Sequence, residues 1–333
     1  MTQYYRPLVQ SDPCRPDDAY PLAGGWAWFQ DVEVLSRDRA PQRCPARHAP
    51  DAVLQRLTAV HAPIAGLDIS APRVMGILNV TPDSFSDGGQ YDAPERALAH
   101  ARTMAGQGAD IIDIGGESTR PGAVEVPIDD EIHRTAPVIQ AIRAEMEMPI
   151  SIDTRKCPVA QAAIEAGADL VNDVAGFTFD PGLALYCGNK GVPVCVMHAQ
   201  GDPETMQAAP HYDDVLLDVY DFLAARIDAL LAAGIDRTQI MVDPGIGFGK
   251  TLDHNLALLK RISLFHSLGC PILLGVSRKK FIGTLGNAPD PADRAAGSVA
   301  LALAAVAQGV QVLRVHDVFE TRSALNLWQA VTG

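Results

Sequence analysis

Six basic side chains that could bind an anion stand at, or shortly after, the ends of short apolar runs. The chain is acidic, with 40 Asp and Glu against 27 Lys and Arg and a formal net charge of −13. The six cations are Arg120, Lys250, Arg278, Lys279, Lys280 and Arg314. If the ends of these runs meet in the fold, scarce positive charge is concentrated at one place, which predicts a small anionic ligand. The overall negative charge argues against nucleic acid or an anionic membrane as a partner.

The same run ends carry amide, carboxylate, hydroxyl and imidazole groups. They are Asn79, Thr119, Asp153, Asn172, Asp173, His198, Asp243, Ser277 and His316. Charged groups that are buried without partners are costly, so a ring of them indicates a site. Two simpler interpretations stay open. Asp173 and Asp317 can cap the helices that follow them, and His198 can be a hydrogen-bonded loop histidine.

Eight apolar runs of strand character must position these groups, and they are near-continuously apolar, as strands buried on both faces should be. They cover residues 74–80, 111–118, 149–154, 170–174, 192–198, 240–245, 271–277 and 312–318. Segments of helical period lie between most of them, and four returns to a strand pass through a glycine that ends a helix. This repetition predicts a (β/α)8 TIM barrel, in which the strand ends meet at one mouth. An open doubly wound sheet is the alternative.

Residues 1–70 lie outside the repeat and are predicted to form a small appendage of unknown role on a barrel of residues 71–333. A strand-like run at 26–35 and a helical stretch at 51–61 are its recognisable parts, and disorder of other parts is an equal alternative. The amino terminus lacks the apolar core of a signal peptide, and no stretch reaches the roughly 18 apolar residues of a membrane span. We therefore expect a cytoplasmic protein. The six scattered cysteines indicate neither a disulfide framework nor a zinc site.

Two long loops follow the first two strands, NVTPDSFSDGGQY at 79–91 and STRPGAVEVP at 118–127. Their glycines and prolines are typical of loops that close over a barrel mouth. GIGFGKT at 245–251 is similar to a phosphate-binding loop, but Pro244 occupies a position where that pattern requires glycine. Its glycines are interpreted instead as allowing the backbone to approach a flat ligand.

Blocks of sequence at the strand ends carry a resemblance to a known family. They are MGILNVTPDSFSDGG (75–89), GADIIDIGGESTRPGA (108–123), PISIDTRK (149–156), LVNDVAG (170–176), VMHAQGDPETMQ (196–207), DPGIGFGKTLDHNLALL (243–259), GVSRKKFIG (275–283), AAGSVA (295–300) and RVHDV (314–318). In this order they resemble the dihydropteroate synthases, a pterin-binding group of (β/α)8 barrels. The resemblance implies condensation of 4-aminobenzoate with a dihydropterin methyl diphosphate, releasing diphosphate and forming dihydropteroate for folate synthesis. It also implies competitive inhibition by sulfonamides.

The resemblance assigns a pterin pocket. Asp243 would accept hydrogen bonds from a ring N–H and the exocyclic amine, Asp153 and Asn172 would complete the polar edge, and Lys279 would donate to ring acceptors. The other members of the pocket are Met197, Phe248 and Gly275. Desolvated polar partners of this kind discriminate strongly, because a wrong ring leaves them unpaired.

The diphosphate is assigned, again by resemblance, to Asn79, Arg314 and His316, with a Mg²⁺ ion bound by Asn79 and diphosphate oxygens. Mg²⁺ keeps phosphate and water oxygens, so a carboxylate cage is not required. The residues expected to act in catalysis are Asn79, Arg120, Lys279, Arg314 and His316. Catalysis would consist of positioning and stabilisation of charge on the departing oxygen, since an aniline nitrogen is neutral near neutral pH.

The family places 4-aminobenzoate under the two loops. The loop residues are Asp83, Ser84, Phe85, Thr119, Arg120 and Pro121. The carboxylate is expected near Lys280, where the free N–H groups at a helix start favour an anion. Many relatives carry Ser at this place, so only the backbone argument transfers to this chain.

Two other functions are weighed against this one. A pterin-dependent methyltransferase that serves a corrinoid protein would share the ring-binding carboxylate and asparagine, but SFSDGG, STRPGA, SRKK and RVHDV together disfavour it. A pterin-binding paralogue without turnover is disfavoured by the intact catalytic set. The family commonly forms dimers through its last helices, which implies a homodimer in which the Ala-rich segment 294–308 could take part. Such a stripe is at least as typical of a helix that faces the barrel.

Overall fold

The computed structural model describes residues 2–81, 93–118, 123–201 and 210–332. The first part of the chain forms five short strands and one helix. They are β1 (Tyr4–Pro7), β2 (Tyr20–Pro21), β3 (Trp28–Phe29), β4 (Asp31–Leu35), β5 (Gln42–Pro45) and α1 (Asp51–Thr58). β1, β4 and β5 make an antiparallel sheet, and β2 pairs with β3.

Eight further strands coincide with the eight predicted runs. They are β6 (Arg73–Asn79), β7 (Ile111–Gly115), β8 (Ile150–Asp153), β9 (Leu170–Asp173), β10 (Val194–Met197), β11 (Ile240–Asp243), β12 (Leu273–Leu274) and β13 (Val312–Val315). Neighbours follow the order β11, β10, β9, β8, β7, β6, β13, β12, all parallel. A parallel bridge between Val242 and Ile272 joins the two ends of this row. The predicted (β/α)8 barrel is therefore confirmed, and the open sheet is excluded.

Helices alternate with the strands. They are α2 (Ala93–Gly106), α3 (Ile128–Arg143), α4 (Cys157–Ala166), α5 (Pro181–Lys190), α6 (Val215–Ala232), α7 (Leu252–Lys260), α8 (Lys280–Leu285), α9 (Ala295–Val306) and α10 (Val318–Thr332). Short 3-10 helices lie at Ala46–His48, Arg237–Gln239, Ile262–Leu268 and Pro291–Arg294. Gly167 ends α4 with φ of 112°, as predicted for a helix stop. Across the described ranges, no helix is long and apolar enough to cross a bilayer.

The barrel interior is built in layers. The floor is an apolar cluster formed by Met75, Ile111, Leu170, Cys195, Met241, Leu273 and Val312, closed from below by Ile64, Leu67 and Ile69. Successive side chains of a strand alternate between its faces, so the residue two positions on points into the same interior. That next layer contains Asp113, Asn172, Met197, Asp243, Gly275 and Arg314. Strand period alone thus stacks a polar layer on an apolar floor.

The appendage packs on the outside of the barrel. Its own core includes Leu22, Phe29, Val32 and Leu57. The Trp26 indole donates to Val306 O at the end of α9 at 3.1 Å, and Tyr4 Oη donates to Asp221 of α6 at 2.9 Å. The division between residues 70 and 71 stays a prediction, since residues 64–69 already pack with barrel side chains.

Trp26→Phe is expected to lower the free energy of unfolding by about 1 kcal/mol. The ring still packs, but the buried Val306 carbonyl loses its indole donor. Urea unfolding measures the change. Trp28→Phe is the matched control, because the Trp28 indole bonds to Asp12 O inside the appendage. Equal protection of α9 amides from hydrogen exchange in both variants would contradict a docking role for Trp26.

Candidate active site

Arg314 lies between two carboxylates in the polar layer. Its Nε donates to Asp113 Oδ2 at 2.5 Å, and Nη2 donates to Asp153 Oδ2 at 2.8 Å. Burial opposes the guanidinium charge, but the carboxylates outweigh it and raise the pKa of Arg314. Burial is also the main cause that raises the pKa of Asp153 to about 7. Arg314 opposes that shift, and the Asp113 carboxylate adds to it. Two acidic groups therefore share one permanent cation.

Asn172 joins this cluster from β9. Its Nδ2 donates to Asp113 Oδ2 at 3.3 Å, and it lies beside Asp153 in the strand register. Asp113 is fully buried, and Asn172 is only 3% exposed. Within the described ranges, Asp113 Oδ1 and Asp153 Oδ1 are buried acceptors without a hydrogen-bond partner. Unsatisfied acceptors favour a ligand that brings N–H donors.

Asp243 has one oxygen fixed and the other at an open space. Its Oδ1 accepts the Gly245 N–H at 2.7 Å. A Cβ built on Gly275 would lie 3.9 Å from Asp243 Oδ2 and 4.0 Å from Arg314 Cβ, so the absent side chain leaves room between them. Burial raises the pKa of Asp243 to about 6, and the Gly245 N–H opposes the shift.

Apolar and cationic groups border the same space. Lys279 Nζ lies 4.1 Å from the ring centroid of Phe248, a cation–π contact. Gly247 has φ of 84°, and a Cβ there would come within 3.0 Å of Lys279 Cδ. Glycine therefore lets the loop approach the lysine stem. Met197 is 2% exposed and pairs with Asp243 in the strand register.

His316 is oriented by Ser277. The His316 backbone N–H donates to Ser277 Oγ at 3.1 Å, and its Nδ1 lies 3.0 Å from the same oxygen. Arg278 forms a bidentate ion pair with Asp317, at 3.1 and 2.5 Å. Arg278 is thus compensated by a carboxylate, which its place after β12 did not predict. Both carboxylate oxygens of Asp317 accept hydrogen bonds from Arg278.

Lys250 also differs from its prediction as a cation of the mouth. It is 3% exposed, and its Nζ contacts the carbonyls of Gly245 and Phe248 at 2.9 Å each and His198 Nδ1 at 2.8 Å. Burial lowers the pKa of Lys250 to about 7. The Lys250 side chain lies under the glycine loop, residues 245–249, and donates to its carbonyls. Lys250 therefore helps to position Phe248. His198 is the hydrogen-bonded histidine of the simpler interpretation.

Lys280 begins α8 and is exposed. The helix has only six residues. So few aligned peptide dipoles attract an anion more weakly than the start of a longer helix would.

Comparison with known proteins decides the family. Residues 75–316 match the sequence profile of the pterin binding enzyme family. The dihydropteroate synthase of Escherichia coli strain K12 is 47% identical over 264 residues, which make up 79% of this chain and 93% of that protein. The chain belongs to the dihydropteroate synthase family.

Solved structures of the family agree with this assignment. The dihydropteroate synthase of Xanthomonas albilineans with 4-aminobenzoic acid is 48% identical with a TM-score of 0.76, and the match covers 81% of this chain and 97% of that one. The Yersinia pestis dihydropteroate synthase in a sulfonamide drug complex is 46% identical with a TM-score of 0.77, covering 82% and 99%. About a fifth of this chain lies outside each match.

The loop residues that family resemblance assigned to the second substrate lie outside the described ranges. They are Asp83, Ser84, Phe85, Thr119, Arg120 and Pro121. Described residues on both sides of 119–122 belong to one buried ion-pair network. Lys156 Nζ donates to Glu117 at 2.6 Å, to Glu131 at 2.8 Å and to Val126 O at 2.5 Å. The lysine and both glutamates are buried. This network anchors the ends of the loop that carries Arg120.

Asn79 is the residue that family resemblance assigned to Mg²⁺, and that assignment stays a prediction. A Cβ built on Gly115 would lie 3.7 Å from Asn79 Oδ1 and 3.8 Å from Asp153 Oδ2, so both oxygens border the same small space. Among the described residues, no group of three or more His, Cys, Asp or Glu could hold a metal ion. A single amide oxygen fits Mg²⁺ that takes its other ligands from diphosphate and water.

Sequence reasoning missed Asp113, Glu117 and Lys156. Asp113 stands inside the run IIDIGG and not at its polar end. The signal that could have found it is a lone carboxylate in an otherwise apolar strand, which needs a buried partner.

Proposed function

We propose that the chain condenses 4-aminobenzoate with (7,8-dihydropterin-6-yl)methyl diphosphate to give 7,8-dihydropteroate and diphosphate in folate biosynthesis. Its activity is that of a dihydropteroate synthase, the transfer of a pterinylmethyl group. The observation that carries this proposal is one polar layer at the mouth of a family barrel. Its members are Asp113, Asn172, Asp243 and Arg314, with Asp153 beside them.

The pterin ring binds by complementary hydrogen bonds. Asp243 Oδ2 accepts from a ring N–H and the exocyclic amine, because Oδ1 is occupied by Gly245. Asn172 and Asp153 complete the polar edge, and Lys279 donates to ring acceptors. Met197 and Phe248 supply apolar surface, and Gly275 leaves room for the flat ring.

The diphosphate binds to Arg314, His316 and Asn79. Asn79 would hold a Mg²⁺ ion, which when bound would supply charge neutralisation to the leaving diphosphate. The methylene C–O bond breaks and its electron pair leaves with the diphosphate, whose charge Arg314 stabilises. The 4-aminobenzoate nitrogen forms the new C–N bond, and its proton passes to water. Protein groups position the reactants and need not abstract a proton first.

The second substrate binds between Phe248 and the two loops. Thr119, Arg120 and Pro121, with Asp83, Ser84 and Phe85, are proposed to close over it. Lys280 is proposed to lie near its carboxylate. The exposed ammonium, in addition to the start of a six-residue helix, would attract this anion.

Pyrophosphate release from the purified chain tests the function. The chain is mixed with pterin diphosphate, 4-aminobenzoate and Mg²⁺, and dihydropteroate and pyrophosphate should appear in equal amounts. Ring binding without release would point to a paralogue that has lost turnover. Release that is indifferent to chelation of Mg²⁺ would contradict the metal role of Asn79.

A sulfonamide is expected to compete with 4-aminobenzoate, because it presents the same aniline on a ring of similar size. It should raise the apparent KM for 4-aminobenzoate and leave kcat and the KM for pterin diphosphate unchanged. Initial rates at several inhibitor concentrations measure this. A fall in kcat at saturating 4-aminobenzoate would contradict a shared subsite.

Affinity for the bare ring, 6-hydroxymethyl-7,8-dihydropterin, is expected to fall as the pH is lowered through about 6. Burial raises the pKa of Asp243 to about 6, and only the ionised carboxylate accepts both ring donors. Below that pH the affinity should drop roughly tenfold per unit. Calorimetric titration between pH 5 and 8 (a range of about three units) measures it. Asp153→Asn removes the other ring-edge carboxylate, whose pKa burial raises to about 7, so the midpoint near 6 that belongs to Asp243 should persist in that variant.

The chain is further proposed to be a homodimer that works in the cytoplasm. α9 and α10 pack together, and α10 exposes Phe319 (59%), Leu327 (69%) and Val331 (79%). Such an apolar surface suits a second copy. Leu327→Glu should convert dimer to monomer in sedimentation analysis. A monomeric unmutated chain at tens of micromolar (an order of magnitude typical of specific dimers) would contradict the proposal.

A further inference from the structure

The two carboxylates around Arg314 are not equivalent. Asp113 holds Nε, the inner nitrogen of the side chain, and also accepts from Asn172. Asp153 holds a terminal nitrogen, Nη2, at 2.8 Å. A guanidinium has five N–H donors, and a diphosphate takes the terminal ones in a fork. These two contacts leave three donors open, so a diphosphate can reach both terminal nitrogens. Its anionic oxygens would then share Nη2 with the Asp153 carboxylate, whereas Asp113 on Nε is not part of that fork.

We propose that Arg314 exchanges partners during the reaction: Asp113 keeps its Nε, while the diphosphate displaces Asp153 and so frees that carboxylate for the pterin ring. The exchange couples the two halves of the substrate. While Oδ2 stays on Arg314, a bare ring can reach only Oδ1 of Asp153, and pyrophosphate alone must share Nη2 with that carboxylate. Each ligand should therefore bind more tightly when the other is present. Asp113 is a positioning residue in this scheme, and the inference rests on the proposed function.

The burial of the cluster makes the coupling large enough to measure. Asp113 is fully buried and the Arg314 side chain is 19% exposed, so water cannot readily replace a lost partner. The second oxygen of each carboxylate is buried without a partner in the described ranges. Release of Oδ2 from Nη2 therefore leaves both oxygens of Asp153 open to ring donors.

The first measurement is the affinity of 6-hydroxymethyl-7,8-dihydropterin with and without saturating inorganic pyrophosphate and Mg²⁺. We expect pyrophosphate to strengthen ring binding about tenfold, within the usual range of coupling between sites. In Asp153→Asn the ion pair is gone, so this ratio should fall below about twofold. Phe248→Leu is the control, because it weakens ring packing without touching Arg314 and should keep the ratio.

The second measurement is the affinity for pyrophosphate, on which substitution of the two carboxylates should have opposite effects. Pyrophosphate alone should bind several times more tightly to Asp153→Asn, whose neutral amide competes more weakly for Nη2 and does not repel the anion. It should bind several times more weakly to Asp113→Asn, in which Nε has lost its anionic anchor. Simple repulsion of pyrophosphate by both carboxylates predicts tightening in both variants. A merely structural role for both predicts weakening in both.

Either of those paired results, or an unchanged coupling ratio in Asp153→Asn, would overturn the exchange. If Asp113→Asn does not fold, the ratio in Asp153→Asn still decides. Failure of the proposed function looks different. In that case the unmutated chain would not bind the ring or would not turn over pterin diphosphate, whereas failure of the exchange leaves both intact and only removes the coupling.

Discussion

Asp243→Asn is expected to lower affinity for the bare pterin ring by roughly a thousandfold, because the oxygen that accepts both ring donors is replaced by an NH2 group, which is itself a donor. The reason lies in the Gly245 N–H, which requires an acceptor at Oδ1. The amide must keep its oxygen there, so its NH2 group takes the place of Oδ2. Two ring donors then face a donor, and the charge that strengthened both bonds is lost.

Calorimetric titration with 6-hydroxymethyl-7,8-dihydropterin measures this loss. Asp173→Asn is a matched control, since Asp173 is also a fully buried strand-end carboxylate. Its oxygens accept the N–H groups of Ala175 and Phe177 at 2.6 and 2.7 Å. That substitution should cost stability and leave ring affinity within about threefold. Ring affinity within about tenfold of the parent in Asp243→Asn would show that another group recognises the ring.

The polar layer could be predicted from the sequence because parallel strands end at one mouth. Asp153, Asn172, Asp243 and Arg314 all stand at strand ends, and each barrel strand coincides with a predicted run. Asp113 escaped because it lies mid-strand, where only the two-residue period places it beside Arg314. Its partner is 201 positions away in the chain. Such a pairing exists only once the barrel closes.

The positions of charges on long side chains were also predicted wrongly from the sequence. Lys250 and Arg278 follow strands as Lys279 does, yet Lys250 turns inward under the glycine loop and Arg278 turns to Asp317. A lysine or arginine side chain reaches several ångströms in any direction that packing allows, so position in the sequence fixes where it begins and not where its charge ends. The same holds for Lys156, which meets Glu117 and Glu131 only through tertiary contact.

Arg314 holds two carboxylates, Asp113 and Asp153, in addition to its proposed contact with the diphosphate. A substitution at Arg314 therefore affects both. Truncation to alanine would leave Asp113 and Asp153 facing each other with no cation between them. We expect Arg314→Ala to lose about 3 to 5 kcal/mol of unfolding free energy, the cost of stranding buried charge. With Arg314 gone, the pKa of Asp153 rises further, so the ring edge changes as well. The alanine variant therefore cannot separate ring binding from diphosphate binding.

Arg314→Lys separates them. The ammonium still compensates the two carboxylates, so affinity for the bare ring should stay within about threefold. It cannot hold Asp113 through a fixed inner nitrogen while presenting a fork to the diphosphate, so kcat/KM for pterin diphosphate should fall roughly a hundredfold. Pyrophosphate release and ring titration measure the two effects. Arg322→Lys is the control, since Arg322 pairs with Asp110, which precedes β7 at the opposite end of the barrel, and should change neither. Equal losses of bare-ring and diphosphate binding in Arg314→Lys would mean that the guanidinium recognises the ring itself, and the assignment of Arg314 to the leaving group would be wrong.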